Sequence, residues 1–253
     1  MAALSGILLE LDRLLEPQAF GDYCPNGLQV QGRSEIARIA TGVSASSELF
    51  ERAFAAGADL VIAHHGLFWD GEDVRVIGPR RERLRLLLSA DVSLAAYHLP
   101  LDAHPTFGNN ALIAKGLGAT LDVAFAPVAG RAIGWCATFD GDGITPAELT
   151  ERVTTLTARA PLTFLDGPER IRTIGVVSGG GARNVNDAIA AGLDAFLTGE
   201  PAEWARALAH ESAIHFLAAG HHATETFGVR ALGAHLAEHF GVEHLYIEID
   251  NPV

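Results

Sequence analysis

The sequence predicts an α/β protein of two related halves, an internal repeat, with mixed or parallel sheets flanked by helices. Short apolar runs alternate with Ala-rich helical patterns, the rhythm of βαβ units around buried parallel strands. Residues 39–65 can be laid on residues 174–200 at a constant shift of 135 without a gap, and a second matching pair follows each copy in the same order. The chain has 253 residues, of which 49% are hydrophobic and 19% charged, so it can bury one large core or two modest ones.

Taken in order, residues 1–15 read as an amphipathic first helix. Glu10 and Asp12 and the lack of a basic leader argue against an export signal. A strand over 36–43 leads to a helix over 47–56, which Ser46 or Ser47 can cap and Gly57 can close. A strand over 59–63, a helix over 80–89 and a strand over 92–97 complete the first series. Pro100 and Pro105 imply an extended loop, and Gly108-Asn109-Asn110 suits a cap for a helix over 111–117. Residues 140–146 read as a turn, 145–157 as a helix, 174–177 as a strand, 186–191 as a helix and 214–219 as a strand.

In the repeat, Ala55-Ala56-Gly57-Ala58-Asp59 falls on Ala190-Ala191-Gly192-Leu193-Asp194. Leu94-Ala95-Ala96-Tyr97-His98 then matches Leu217-Ala218-Ala219-Gly220-His221, and four residues on Asp102 matches Glu225. The boundary between the halves is expected near residues 123–130. The expected division is a first α/β domain of residues 1–125 plus 215–253 and a second, related domain of residues 126–214.

Composition narrows the function. Lys and Arg total 18 against 31 Asp and Glu, a formal charge of −13 that repels phosphate backbones and argues against a general nucleic-acid binder. Cys24 and Cys136 lie far apart and form no CxxC pair, so neither a disulfide framework nor a thiolate zinc site is suggested and a reducing, cytoplasmic setting fits. No uncharged apolar stretch reaches eighteen residues, so no membrane span is expected. Eleven histidines are the unusual feature, because imidazole binds metals and moves protons near neutral pH.

Their placement is more telling than their number. His64 and His65 follow the apolar run 59–63, at the carboxyl end of a predicted parallel strand, where open α/β sheets bind ligands. Taken alone the pair would be one buried, hydrogen-bonded histidine and one exposed. Both reach one site only if the backbone leaves strand geometry there, a turn that Gly66 eases. Asp102 stands on a loop after the strand over 92–97, and alone it would be read as a cap. His221 and Glu225 follow the run 214–219 at helical spacing and share one face. His222 points elsewhere.

Three imidazoles and two carboxylates exceed what one tetrahedral ion requires, so a dinuclear centre is favoured, at strand carboxyl ends between the halves. The donors suit two divalent ions per chain, iron, manganese, zinc or cobalt, better than oxygen-only calcium. The Gly-rich run 178–182 lacks the Lys-Ser/Thr of a P-loop and reads as a tight turn. No Gly-x-Ser-x-Gly elbow is present, and no serine or cysteine nucleophile is supported.

CPNGLQV at 24–30, AHHG at 63–66, LPLDAHPTFGNN at 99–110, TGE at 198–200 and GHHATE at 220–225 occur in order along nearly the whole chain. As a set they resemble the Nif-three-like family, also called the GTP cyclohydrolase 1 type 2 family of dinuclear metal centre proteins. The resemblance implies His64, His65, Asp102, His221 and Glu225 as metal ligands, Glu225 as the bridge, and His98 and Glu200 as neighbours of the site. It also implies a toroidal homo-hexamer and hydrolytic opening of the GTP imidazole ring.

For such a centre the expected chemistry is that of a metal-dependent hydrolase using metal-activated water on a small-molecule substrate. A non-enzymatic metal-binding scaffold or regulator and a two-metal phosphoesterase or nuclease stay open as alternatives. A triphosphate would need cations, and only Arg183, Lys115 and the cluster 80–85 offer them. His98, His104, His222 and Glu200 are candidates to move protons. His210, His215, His235, His239 and His244 read as surface or packing residues.

Overall fold

The computed structural model describes residues 1–253. In chain order the elements begin with β1 (Ala2–Ala3), α1 (Leu4–Leu15), β2 (Gly27–Val30), β3 (Glu35–Ile36), β4 (Arg38–Ser44) and α2 (Ser47–Ala55). Then come β5 (Leu60–His65), α3 (Gly78–Ala90), β6 (Ser93–Ala96), α4 (Leu99–Ala103), α5 (Asn109–Gly116), β7 (Thr120–Val128) and β8 (Arg131–Thr138). The chain continues through α6 (Pro146–Thr157), β9 (Leu162–Leu165), β10 (Thr173–Val177), α7 (Val185–Ala190), β11 (Ala195–Thr198) and α8 (Ala205–Glu211). It ends with β12 (His215–Ala218), α9 (His221–Thr224), α10 (Thr226–Phe240) and β13 (Glu243–Tyr246). The mixed α/β class and the series of elements agree with the sequence expectation. No helix is long and apolar enough to cross a membrane.

Contacts divide the chain into two units. The first comprises Met1–Leu101 and Gly228–Asp250, the second Asp102–Phe227 and Asn251–Val253. These bounds differ from the expected 1–125 plus 215–253 and 126–214, and the sheets give the reason. β7 pairs with β8, and β12 is an inner strand between β11 and β9, so both belong to the second sheet. Ile113, Ala114 and Leu117 of α5 and its C-terminal turn share a core with Leu149 and Val153 of α6. Consequently His64 and His65 lie in the first unit, and Asp102, His221 and Glu225 in the second.

The first unit holds a five-stranded sheet in the order β13-β4-β5-β6-β2, parallel except for the β2 edge. Its inner strands are apolar on both faces, as parallel strands covered by helices require. Ser46 caps α2 by accepting from Leu49 N at 3.1 Å, and Leu49, Phe50 and Ala53 turn inward. The second unit holds a six-stranded sheet in the order β7-β8-β10-β11-β12-β9, whose β10, β11 and β12 are parallel. Thr145 and Glu148 form a reciprocal cap at the start of α6.

The repeat is visible within each sheet. In the first unit Ile39 faces Leu60 and Ala40 faces Val61, while in the second Ile174 faces Ala195 and Gly175 faces Phe196, the same register at a shift of 135. Asp59 accepts from the backbone N–H of Ala37 and Arg38 at 2.8 and 3.0 Å, and Asp194 accepts from those of Arg172 and Thr173 at 2.7 and 2.9 Å. Each carboxylate therefore fastens the start of one strand to the start of the next. The second matched pair departs from this register by one residue. Leu94 faces Val61, whereas Leu217 faces Leu197 and not Phe196.

Candidate metal centre

Strand geometry continues through His65, because Ser44 and His65 remain paired and Ala45 N donates to His65 O at 2.8 Å. The expected departure from the strand before Gly66 is therefore absent. The two rings nevertheless lie near each other, with centroids 4.7 Å apart and planes inclined by 44°. His64 is fully buried and its Nδ1–H donates to the Tyr97 carbonyl at 3.0 Å. His65 Nδ1 meets Ser44 Oγ at 3.0 Å.

His98 joins them. Its ring centroid is 5.1 Å from that of His64 and 5.6 Å from that of His65, and donor nitrogens of the three lie within 4.8 Å of one another. His98 Nδ1–H donates to Asp22 Oδ1 at 2.8 Å, while Asp22 Oδ2 accepts from Asn26 Nδ2 and Leu99 N at 2.8 and 3.0 Å. Burial by itself raises the Asp22 carboxyl, but the hydrogen bond and charge of His98 outweigh it and hold the group below its ordinary value. Burial, then the charge of Asp22, pushes the Cys24 thiol up to about 12, so it stays protonated at neutral pH. Trp69 stands against His65 and His98 at 5.7 and 5.2 Å. Beside His65 a cleft of about 330 Å³ is lined by Gly66, Leu67, Trp69, Arg75, Arg80 and Arg83 among others.

In the second unit Asp102 lies in the short helix α4 and not on an extended loop. Pro100 is tolerated there because a first-turn residue has no intrahelical N–H bond to lose. Asp102 is buried, and its Oδ1 accepts from Asn109 Nδ2 at 2.8 Å and Ser178 Oγ at 3.2 Å. Asn109 and Asn110 do not cap α5, whose start is Gly108 without a side-chain cap. Both are fully buried. Asn110 donates to the Ile133 carbonyl at 2.7 Å and accepts from Ser178 N at 2.6 Å.

His221 opens the single turn α9 and Glu225 follows its end; Thr224 Oγ1 donates to the Gly220 carbonyl at 2.8 Å. His221 Nδ1–H donates to Glu200 Oε1 at 2.6 Å, and its Nε2 is 3.2 Å from Glu225 Oε2. Burial pulls the imidazolium down, but the carboxylates of Glu225 and Glu200 more than offset it and carry His221 up to about 9. Gly179 is left-handed, with φ +59°. A Cβ there would overlap Glu225 Oε1 and stand 3.1 Å from His221 Nε2, so glycine makes the cradle for this pair.

Nothing in the sequence alone identifies Asp22, Asn26, Ser44, Ser178, Asn109 and Asn110 as partners of these groups. The motifs CPNG and GNN contain three of them, but only the fold turns their side chains toward the histidines and Asp102. His104 closes its own turn by accepting from Thr106 N and Phe107 N at 3.1 and 3.0 Å. His222 is buried. Among the cations considered for a triphosphate, Lys115 donates to the Pro105 carbonyl at 2.8 Å and Arg80 pairs with Glu72 at 2.5 Å.

The model of the Duf34/NIF3 (NGG1p interacting factor 3) family matches residues 2–252. A Pseudomonas aeruginosa protein named GTP cyclohydrolase 1 type 2 homolog is 45% identical over 250 residues, covering 99% of this chain and 98% of its own. A protein of the same name from Escherichia coli K12 is 41% identical over 251 residues, covering 96% and 98%. The solved structure of ybgI, a protein of unknown function, superposes with a TM-score of 0.93 at 38% identity, covering 100% of both chains. A Thermus thermophilus protein superposes at 0.88 with 33% identity and the same coverage.

Proposed function

Because the chain belongs to the Duf34/NIF3 family, we propose that it binds two divalent metal ions and acts as a metal-dependent hydrolase. The proposed ligands are His64, His65, Asp102, His221 and Glu225, and the ions are iron, manganese, zinc or cobalt. One observation carries the reading. Each of the three imidazoles has its Nδ1 engaged by the protein, at the Tyr97 carbonyl, Ser44 Oγ and Glu200, which supports Nε2 as the nitrogen that would ligate. The donor set of imidazole and carboxylate fits borderline divalent ions, and Gly179 keeps room for the Glu225 carboxylate.

When bound, such ions supply a water of lowered pKa and polarise the bond it attacks. The chain's own residues set the stage for that chemistry. Asn109 and Ser178 orient Asp102, because both donate to the same oxygen. Glu200 holds the His221 ring by its Nδ1–H, and the Asp22–His98 pair stands beside His64 and His65 with a proton to hold or move. The relatives' name points to GTP as substrate, opened hydrolytically at its imidazole ring. We extend the proposal to a toroidal homo-hexamer in the cytoplasm, which light scattering and fractionation test.

The test is metal analysis with a substrate panel. Wild-type protein is expected to carry two ions per chain and to turn over GTP, a phosphoester or a cyclic amide only when metal-loaded. Asp102→Ala and Glu225→Ala are expected to lose metal and activity together. Two ions retained in both variants would overturn the ligand set. Metal loss with no turnover by the wild type would favour a non-enzymatic metal-binding scaffold.

A further inference from the structure

Glu10, His235 and His239 come together in the first unit, and none of the five proposed ligands belongs to this group. His235 and His239 are one helical turn apart on α10, so their side chains leave the same face. Their ring centroids are 5.7 Å apart, with planes inclined by 28°. Glu10 reaches them from the inward face of α1, where Ile7 and Leu11 are also buried, and its Oε1 lies 3.2 Å from His235 Nε2. One donor atom from each residue lies within 4.8 Å of the other two.

The frame around the group is well defined. Phe240 packs edge-on against His239 with centroids 4.7 Å apart, and its ring approaches Gly6 of α1, where a Cβ would stand 3.8 Å from it. Glu10 is only 8% exposed, and Arg13 donates to both its oxygens, from Nε at 2.8 Å and from Nη2 at 2.7 Å. That hydrogen bonding, against the opposing effect of burial and with help from His235, holds the carboxyl down to about 2. Arg13 and His235 both meet the carboxylate, and His239 is stacked beside His235 with a nitrogen within 4.8 Å of the other two donor atoms.

We propose that Glu10, His235 and His239 form a separate site for one zinc-type divalent ion. Two imidazole nitrogens and one carboxylate oxygen are a donor set that zinc, cobalt, nickel or copper accepts and that calcium or magnesium does not favour. A carboxylate has about four lone-pair sites, so Arg13 keeps its hydrogen bonds and orients Glu10 while one lone pair turns to the ion. His235 ligates through Nε2 by moving its proton to Nδ1. His239 is exposed, so an ion enters from solvent and water completes its coordination.

The experiment uses full-length protein stripped with chelator and titrated with zinc, with bound zinc counted per chain after desalting. Wild type and the Asp102→Ala/Glu225→Ala double variant each serve as a background for His239→Ala. Circular dichroism and the zinc-free Tm confirm that the exposed substitution leaves the fold intact. His239→Ala is expected to remove one zinc per chain in both backgrounds, or to weaken it by at least the roughly 10- to 100-fold that loss of a ligand's supporting partner costs. Unchanged zinc number and affinity in both backgrounds would overturn the site. The outcome is separable from the two-ion reading, because that reading predicts loss on Asp102→Ala/Glu225→Ala whatever His239→Ala does.

Discussion

Gly179→Ala places a methyl group against the carboxylate of Glu225, and the structure tells which side must yield. The Gly179 N–H donates to Thr224 Oγ1 at 3.0 Å, and its carbonyl accepts from Gly199 N and Glu200 N at 3.0 and 2.9 Å. The backbone is held at three points, whereas the carboxylate ends a rotatable side chain. Glu225 therefore retreats by roughly 1 Å to recover van der Waals separation. Forcing alanine into φ +59° costs about 1–2 kcal/mol of stability. Gly192→Ala is the matched control, since Gly192 has φ +68° and nothing within 4 Å of its absent Cβ. Urea unfolding is expected to show a similar loss in both variants. Metal titration should separate them, because ligand positions tolerate only about 0.2 Å, and Gly179→Ala alone should lose at least about tenfold in affinity. If Gly179→Ala binds metal as Gly192→Ala does, Glu225 is not a ligand and Gly179 is no cradle for one.

Phe196 is fully buried between Phe125 and Phe216, at 6.4 and 5.9 Å, and Phe196→Ala is expected to cost about 3–5 kcal/mol in urea unfolding. Asp194→Ala strips acceptors from two backbone N–H groups and should cost about 1–3 kcal/mol; a loss of the same order from Asp59→Ala, which also removes the partner of Arg33, checks the equivalence of the two clasps. The Glu10 carboxyl is held down to about 2 in the folded chain against an ordinary value of 4.5, so the folded state binds fewer protons there. Its contribution is complete above about pH 4.5 and fades as the pH falls toward 2, and Glu10→Gln should flatten that limb of the stability–pH curve.

Much of the local structure was legible because periodicity and punctuation are local properties. All ten of the strands and helices expected from residue 36 onward occur within two residues of their expected ends. The constant shift of 135 was legible too, and ladder registers and the Asp59 and Asp194 clasps repeat it. The match of Leu94 with Leu217 does not carry over to the ladder, since identical Leu-Ala-Ala letters carry no information about register, and the ladder slips it by one. His65 and Asp102 departed from expectation for a related reason. Whether a strand continues past Ala63 depends on its partner Ser44, and whether Pro100 starts a helix or extends a loop depends on what buries Asp102.

By itself the sequence determined the α/β class, the two repeats, the absence of long apolar spans and the placement of histidines and acids after strand ends. Those features follow from side-chain chemistry and from spacing along the chain. Tertiary structure alone decided where the units divide, since sheet membership of β7 and β12 is a matter of long-range pairing. It alone decided which nitrogen of each of these histidines the protein holds, because Tyr97, Ser44 and Glu200 are brought to Nδ1 from distant positions. The same holds for Glu10, His235 and His239. Glu10 stands 225 residues before His235, and only the packing of α1 against α10 makes them neighbours.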